Sequence, residues 1–308
     1  MDGIDVSGAS THARRPSAVA IGNFDGVHVG HRMLVERAIV AARERGARSV
    51  VLTFDRHPAT VVRPESAPKL LTSVARKLEL LRASGVDEVV VLRFDEERAA
   101  ETAEDFVASV LVGALAARAV VVGASFRFGN RQRGDVALLE QMGGELGFSV
   151  ERLDLVDVEA GDGTLPVSSS RIRLLLGDGR VEEAARLLGR PHEVEVEAVA
   201  GGGSAVETGA ELLVPGELLL PRPGRYAVGI APAGATATPD AVRAVVRVPA
   251  ERPSTVVVES TADGEPRAPG AGERVVVGFL AVLEESGPGA SSDDSSRRRV
   301  GGGDVPDR

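Results

Sequence analysis

The sequence predicts an α/β domain built on a parallel sheet, then a small antiparallel β-barrel-like domain and a disordered tail. Three observations carry this. Between Ala18 and Val156, short continuous apolar runs alternate with stretches of helical spacing, as in a parallel sheet covered on both faces. From His192 the composition shifts to Val, Glu, Gly and Pro in short alternating runs, as in half-buried antiparallel strands. From Glu284 to Arg308 Gly, Ser, Asp and Arg dominate, a composition that buries too little apolar surface to fold. The expected boundaries are a flexible N-terminus over 1–16, an α/β domain over 17–191, a β domain over 192–285 and the tail over 286–308.

Ala18-Val19-Ala20-Ile21 is the first strand, and Leu34, Val35, Ala38, Ile39 and Ala42 give the helix after it. Ser49 to Phe54 reads as the second strand, stopped before Pro58. Thr72 or Ser73 caps a helix that buries Leu78, Leu80 and Leu81 and closes at Gly85. Val89 to Leu92 is a strand. A helix is expected over Glu101 to Arg118, with Thr102 and Asp105 in a capping arrangement. Val120 to Gly123 is a strand, Gly134 to Gly147 a helix, and Ser149 to Val156 the last strand of this domain. In the second domain, strands are expected over Glu193 to Val199, Glu211 to Leu220, Arg225 to Ile230, Val242 to Val248, Thr255 to Glu259 and Val275 to Leu283.

The most informative stretch is Ile21-Gly22-Asn23-Phe24-Asp25-Gly26-Val27-His28-Val29-Gly30-His31, a Gly-rich turn from strand to helix. Gly22, Gly26 and Gly30 allow close backbone approach and positive φ, and the amides of a helix start favour an anion such as phosphate. His28 and His31 are spaced to face one pocket, where imidazole N–H groups can stabilise charge on a phosphate in transfer. Zinc ligation by this pair would need a third or fourth ligand; there is no cysteine, and no Glu-x-x-His arrangement supports it. By itself, a Gly-rich turn of this kind can also be purely structural. Because ligands of open α/β sheets lie at the carboxyl ends of strands, the turns with His28, Asp55 to Pro58 and Gly123 to Gly129 should converge on one crevice. Asp55 and His57 have equally ordinary roles as turn residues.

The 308 residues suffice for two cores, with 43% hydrophobic and 26% charged residues. Aromatics are 3%, with no Trp, which argues against a base-stacking RNA platform. A net charge of −9 argues against general nucleic-acid or anionic-membrane binding. Zero cysteines exclude disulfides and thiolate chemistry and are compatible with the cytoplasm. Met1 to Pro16 does not resemble a secretory leader, and no apolar run is long enough to span a bilayer.

Gly22 to His31 resembles the His-x-Gly-His motif of the nucleotidyltransferase superfamily, and more narrowly the opening motif of the bacterial riboflavin kinase/FAD synthetase family in its FMN adenylyltransferase module. Thr53-Phe54-Asp55-Arg56-His57-Pro58 is similar to that family's Thr-Phe-Asp-Pro-His-Pro, with Arg56 in place of a proline. Leu70-Leu71-Thr72 with Lys77 continues the match. Val121 to Gly129, followed by Gly134-Asp135, resembles its flavin-side loop, with Ser125 where the family usually has Asp or Asn. Val167-Ser168-Ser169-Ser170-Arg171-Ile172-Arg173 resembles the second ATP motif, although a Ser cluster there is also an ordinary helix cap. Leu187 to Pro191 resembles the junction between the family's modules.

The resemblance implies a Rossmann-like nucleotidyltransferase sheet and FAD synthetase activity, with AMP passing from Mg²⁺-bound ATP to FMN to give FAD and pyrophosphate. It implies His28, His31 and Arg171 as catalytic residues. Gly22, Asn23, Phe24, Asp25, Gly30, Ser168, Ser169 and Ser170 fall on the nucleotide side. Phe54, Asp55, His57, Pro58, Gly123, Ser125, Phe126, Arg127 and Phe128 fall on the flavin side. No protein metal ligands, nucleic acid or membrane partner are expected, and the oligomeric state is not legible. The β domain takes the place of the family's riboflavin kinase barrel, and Pro223 to Val228 resembles one of its strands. Yet Gly201 to Gly209 stands where that kinase has a basic loop and a Pro-Thr-Ala-Asn motif, and Val257 where it has a Glu base, so kinase activity is expected to be lost. Two alternatives remain: transfer to another phosphorylated acceptor, or a flavin- or nucleotide-binding protein without catalysis.

Overall fold

The computed structural model describes residues 15–154, 156–160, 163–199, 211–235, 242–252, 254–261, 272 and 274–283. Residues 1–14 of the expected flexible N-terminus, the Gly201 to Gly209 loop and the expected tail over 286–308 lie outside the described residues.

Five parallel strands form the first sheet: β1 (Ser17–Ile21), β2 (Arg48–Phe54), β3 (Glu88–Leu92), β4 (Ala117–Gly123) and β5 (Ser149–Leu153). Their order is β3-β2-β1-β4-β5. The order reverses between β1 and β4, so the loops leaving these two strands diverge and open a crevice at their carboxyl ends. All five residues of β1 are buried, because helices cover both faces. On one face α1 (Val29–Glu44) and α3 (Val74–Arg82) bury Val35, Ala38 and Leu81 against Ala20, Val51 and Val121. On the other, α5 (Ala103–Phe106), a π-helix over Val107–Ala114 and α6 (Val136–Leu146) bury Phe106, Leu111 and Leu139 against Ile21, Leu52 and Val122. Short helices α2 (Ala59–Val62) and α4 (Glu96–Ala100) follow β2 and β3.

Local capping bears out several helix starts. Ser73 caps α3 by accepting from the Arg76 amide, and Thr102 caps α5 through the Asp105 amide and carboxylate. Three element limits differ from expectation. The helix expected over Glu101 to Arg118 stops at Ala114, since Ala116 is left-handed at φ 49° and Ala117 already pairs with Ser17 of β1. The strand expected to reach Val156 ends at Leu153, because its partner β4 ends at Gly123. The residues beyond it form a hairpin, β6 (Asp157–Ala160) with β7 (Gly163–Pro166). The strand expected over Glu211 to Leu220 is only β9 (Glu211–Leu213); Pro215 interrupts the ladder, and the chain crosses to Leu70 instead.

The second domain is a closed antiparallel barrel in the order β10-β11-β12-β9-β8-β13. Besides β9 it comprises β8 (His192–Ala198), β10 (Gly224–Pro232), β11 (Val242–Val248), β12 (Thr255–Thr261) and β13 (Arg274–Leu283). Alternate residues such as Val194, Val196, Val228, Val246 and Val277 fill its interior. Helices α7 (Ser169–Gly177) and α8 (Val181–Leu188) share that core: Ile172, Leu175, Leu176, Leu187 and Leu188 cluster with barrel residues rather than with the parallel sheet.

Candidate active site

The site is built at the carboxyl ends of β1, β2, β3 and β4 and has two adjoining halves. The first half is where the starts of α1 and α7 meet. Leaving β1, the chain turns through Phe24 at φ 54°, Gly26 at 84° and Val27 at 40°. The left-handed residues are therefore two apolar ones and the middle glycine, whereas Gly22 and Gly30 are not left-handed. Phe24 and Val27 are fully buried, so packing holds a backbone that isolated residues would avoid. Gly26 has no room for a Cβ, which would lie 2.9 Å from a Leu71 methyl. Gly30 stands 3.4 Å, measured from an ideal Cβ, from the His28 ring and 3.8 Å from Val167 beside α7.

His28 is the N-cap of α1. Its Nδ1 accepts from the His31 amide at 3.2 Å, so the proton of the neutral ring sits on Nε2. The His28 and His31 rings stack with centroids 3.5 Å apart and planes 14° from parallel. Burial, followed by the charges of Arg32 and Arg190, pushes His28 down to about 3. Burial, then His28 and Lys77, also holds His31 well below the ordinary histidine range. Both rings are thus neutral at neutral pH, and His31 Nδ1 is buried without a hydrogen-bond partner. That arrangement offers neutral N–H donors to an anion, not an acid.

The expected nucleotide-side residues come together with unequal duties. Ser168 caps α7 by accepting from the Arg171 amide at 3.1 Å. Ser169 donates to the Asp25 carbonyl at 2.9 Å, which ties the two motifs directly. Ser170 is exposed at the same helix start. Arg171 is partly buried, and its Nε lacks a partner. Asp25 is 4% exposed; its carboxylate accepts from the amides of Leu71 at 3.0 Å and Thr72 at 3.2 Å and pairs with Arg173. Those contacts engage both oxygens, so Asp25 acts as a buried brace between the β1 turn, the turn before α3 and α7.

The second half is a cavity of about 840 Å³ beside the first. Gly22 and Asn23 line it at the border between halves. Phe54, His57 and Pro58 line it from the β2 turn, and Ser125, Phe126, Arg127 and Phe128 from the β4 loop. Aromatic rings crowd there: Phe126 stacks on Phe128 at 5.3 Å, and Phe54 meets Phe94 edge-on at 5.3 Å. Asp55 and Gly123, expected on the flavin side, are not among the residues lining the cavity. Asp55 accepts from the Phe94 amide at 2.9 Å and pairs with Arg56 at 3.0 Å. His57 Nδ1 accepts from the Ala59 amide at 3.1 Å, and burial lowers its pKa. Arg127 pairs with Asp135 at 3.7 Å. The mixture of flat aromatic faces and a few polar groups suits a planar ring system.

Lys77, 4% exposed, lies beneath the border of the two halves. Its Nζ donates to the carbonyls of Asn23 at 3.1 Å and Phe54 at 2.9 Å, and burial pushes it down to about 8. The sequence placed Lys77, Arg173 and Arg190 inside matched stretches without giving them a role, and missed Arg32 and Phe94. Phe94 had a usable signal, an aromatic residue immediately beyond a strand end. The contacts of the three arginines join distant segments, which no local pattern announces. Among the described residues, no three His, Asp or Glu side chains gather as a metal site.

A family model described as FAD synthetase matches residues 10–171. The chain is 36% identical over 183 residues to the bifunctional riboflavin kinase/FMN adenylyltransferase of Escherichia coli strain K12, covering 59% of this chain and 57% of that protein. It is 37% identical over 175 residues to the putative bifunctional riboflavin kinase/FMN adenylyltransferase of Geobacillus thermodenitrificans strain NG80-2, covering 57% of this chain and 90% of that one. The match to the Escherichia coli relative therefore spans less than two thirds of its length. Among solved structures, a crystal structure titled as a macrolide-efflux protein from Streptococcus pneumoniae aligns with TM-score 0.75 and 27% identity, covering 94% of this chain and 91% of that one. The likeness to that structure extends over both the sheet and the barrel.

Proposed function

The chain belongs to the FAD synthetase family, and from that membership we propose that it transfers AMP from ATP to FMN, giving FAD and pyrophosphate. The observation that carries this is the adjacency of the two half-sites. Neutral His28 and His31 at the start of α1 adjoin, through Gly22 and Asn23, an aromatic-lined cavity large enough for a flavin. The names borne by the Escherichia coli and Geobacillus relatives agree with it.

In the proposed reaction an oxygen of the FMN phosphate bonds to the α-phosphorus of ATP as the bond to the bridging oxygen of pyrophosphate breaks. Bound with ATP and held chiefly by the phosphates themselves, Mg²⁺ would supply neutralisation of phosphate charge. The attacking phosphate is already anionic, so no side chain has to remove a proton. His28 presents Nε2–H, while the amides at the starts of α1 and α7 and the guanidinium of Arg171 supply further donors. Their role is alignment and charge stabilisation in a dry, preorganised setting. Phe54, Phe126 and Phe128 hold the flavin ring, and His57, Pro58 and Ser125 shape its surroundings. Asp25 and Lys77 keep the halves in register.

The proposal includes loss of riboflavin kinase activity. Its support is the missing Pro-Thr-Ala-Asn motif and Val257, whose side chain cannot accept a proton. It also includes a cytoplasmic setting without nucleic-acid partners, supported by the cysteine-free composition and the net charge of −9. No described helix is long and apolar enough to cross a membrane.

Chromatography of products after incubation with Mg-ATP and either FMN or riboflavin tests the reading. FAD from FMN, and no FMN from riboflavin, is the expected outcome. FMN accumulating from riboflavin at ordinary turnover would overturn the loss of kinase activity. Failure of FMN to react, with ATP–pyrophosphate exchange supported by another phosphorylated acceptor, would overturn the flavin assignment.

A further inference from the structure

The barrel reaches the helix start that carries His28 through a run of buried charges. Glu193, in the first barrel strand β8, is 3% exposed. Its carboxylate accepts from Arg76 Nε at 3.3 Å and Nη2 at 3.0 Å, and lies 3.8 Å from Nε of Arg190. Arg190 in turn directs Nη1 at the carbonyl of Val27, 3.5 Å away and one residue before His28. From the opposite side, Arg32 of α1 donates to the Leu188 carbonyl at 2.9 Å. Its guanidinium packs on Gly189, where φ is 68° and any Cβ would collide with it. The junction between α8 and the barrel therefore holds the start of α1 at two points.

Packing alone does not call for this arrangement. A carboxylate shared by two guanidiniums inside a domain junction carries a desolvation cost that an apolar residue of similar size would avoid. What the charges add is direction: the fixed carboxylate holds Arg76 by two hydrogen bonds and attracts Arg190 as an ion pair without a hydrogen bond at its Nε, narrowing the rotamers of two long side chains.

Resting on the adenylyl-transfer reading above, we propose that Glu193 is a positioning residue for that reaction. It holds Arg190 against the Val27 carbonyl, and through it sets the first turn of α1 and the ring of His28. The barrel is then a working part of the transfer site, even where its own kinase features are missing.

The test uses the full chain with ¹⁵N-labelled histidine and the variants Glu193→Gln, Arg190→Gln and the double. In the ligand-free protein, wild-type His28 should show the Nε2–H tautomer that its bond from the His31 amide imposes. Both single variants should shift the His28 signals toward a tautomer mixture and leave those of His57, in the other half-site, in place. With Mg-ATP and FMN, each single variant should lose about tenfold in kcat with KM for FMN unchanged, since misplacement remote from the chemistry has effects of that size or more. The double variant should lose no more than Arg190→Gln alone, as residues acting in series do not add. Additive losses, or an unmoved His28 signal in either single variant, would overturn the proposal. If Glu193→Gln does not fold, the His28 signal of Arg190→Gln decides. If the wild-type chain forms no FAD, the assigned reaction falls, and the histidine signals still decide whether Glu193 positions His28.

Discussion

In the proposed reaction His28 does two jobs with one ring. Nδ1 caps α1, the cap fixes the proton on Nε2, and Nε2–H is the donor proposed for the phosphate. His28→Ala should lower the rate of FAD formation by about 10²- to 10³-fold, the scale for losing one preorganised donor, while the far-ultraviolet dichroism stays native. The pH dependence follows from the same environment. His28 is held at about 3 and His192 at about 4, both by burial first, against 6.5 for a free histidine. Between those values and 6.5 the unfolded chain binds protons that the native chain refuses. Stability should therefore fall as pH drops from about 6.5 toward 3, read as a declining urea midpoint, and kcat should show no limb near 6.5 from His28. Asp25 belongs to a different class. Asp25→Asn leaves Arg173 without its buried counter-charge and should cost about 3–5 kcal/mol of stability, the range for breaking a buried pair from one side. The sequence marked both residues as part of one motif. It could not separate donor from brace, because Arg173 and the Leu71 and Thr72 amides approach Asp25 only in the fold.

At the scale of elements, the loop after β4, proposed to face the flavin, is held by backbone contacts. Phe128 and Gly134 form a two-way backbone bridge, with N···O distances of 3.0 and 2.9 Å, and the Asn130 amide donates to the Glu101 carbonyl at 2.7 Å. Gly129, at φ 70°, lies so close to Ala103 of α5 that a Cβ would come within 2.6 Å of its backbone nitrogen. Gly129→Ala should push the loop off α5, raising KM for FMN by about tenfold with KM for ATP unchanged, and destabilising by about 1–3 kcal/mol through strain and overpacking. Steady-state kinetics with each substrate varied would separate the two halves. The helix behind this loop was legible as apolar periodicity from Phe106 onward. Its π-helical course and its early stop were not, since the stop is imposed by the pairing of Ala117 with β1.

At the scale of the molecule, α7 brings Ser168 to Arg173 beside the start of α1 while its apolar face belongs to the barrel core. The segment proposed to bind the nucleotide thus depends on the second domain for burial. Removing residues 192–308 should expose Ile172, Leu175, Leu176, Leu187 and Leu188 together, a patch of the kind that drives association. The truncated chain should aggregate or lose FAD formation, measured by light scattering and by product chromatography. A soluble, fully active fragment would refute that dependence.

The sequence by itself determined most of the elements, the parallel-then-antiparallel plan, and the two motifs proposed to bind phosphate with their order. Those properties are written in local periodicity, glycine placement and residue type, which act over a turn or a strand. Only the tertiary structure decided the switch between β1 and β4 that opens the cavity, the stacking of His28 on His31, and the brace from Asp25 to Arg173. It alone decided the assignment of α7 and α8 to the barrel core. Each of these rests on contacts between segments far apart in the chain, whose energies depend on burial and direction, and neither exists until the segments have packed.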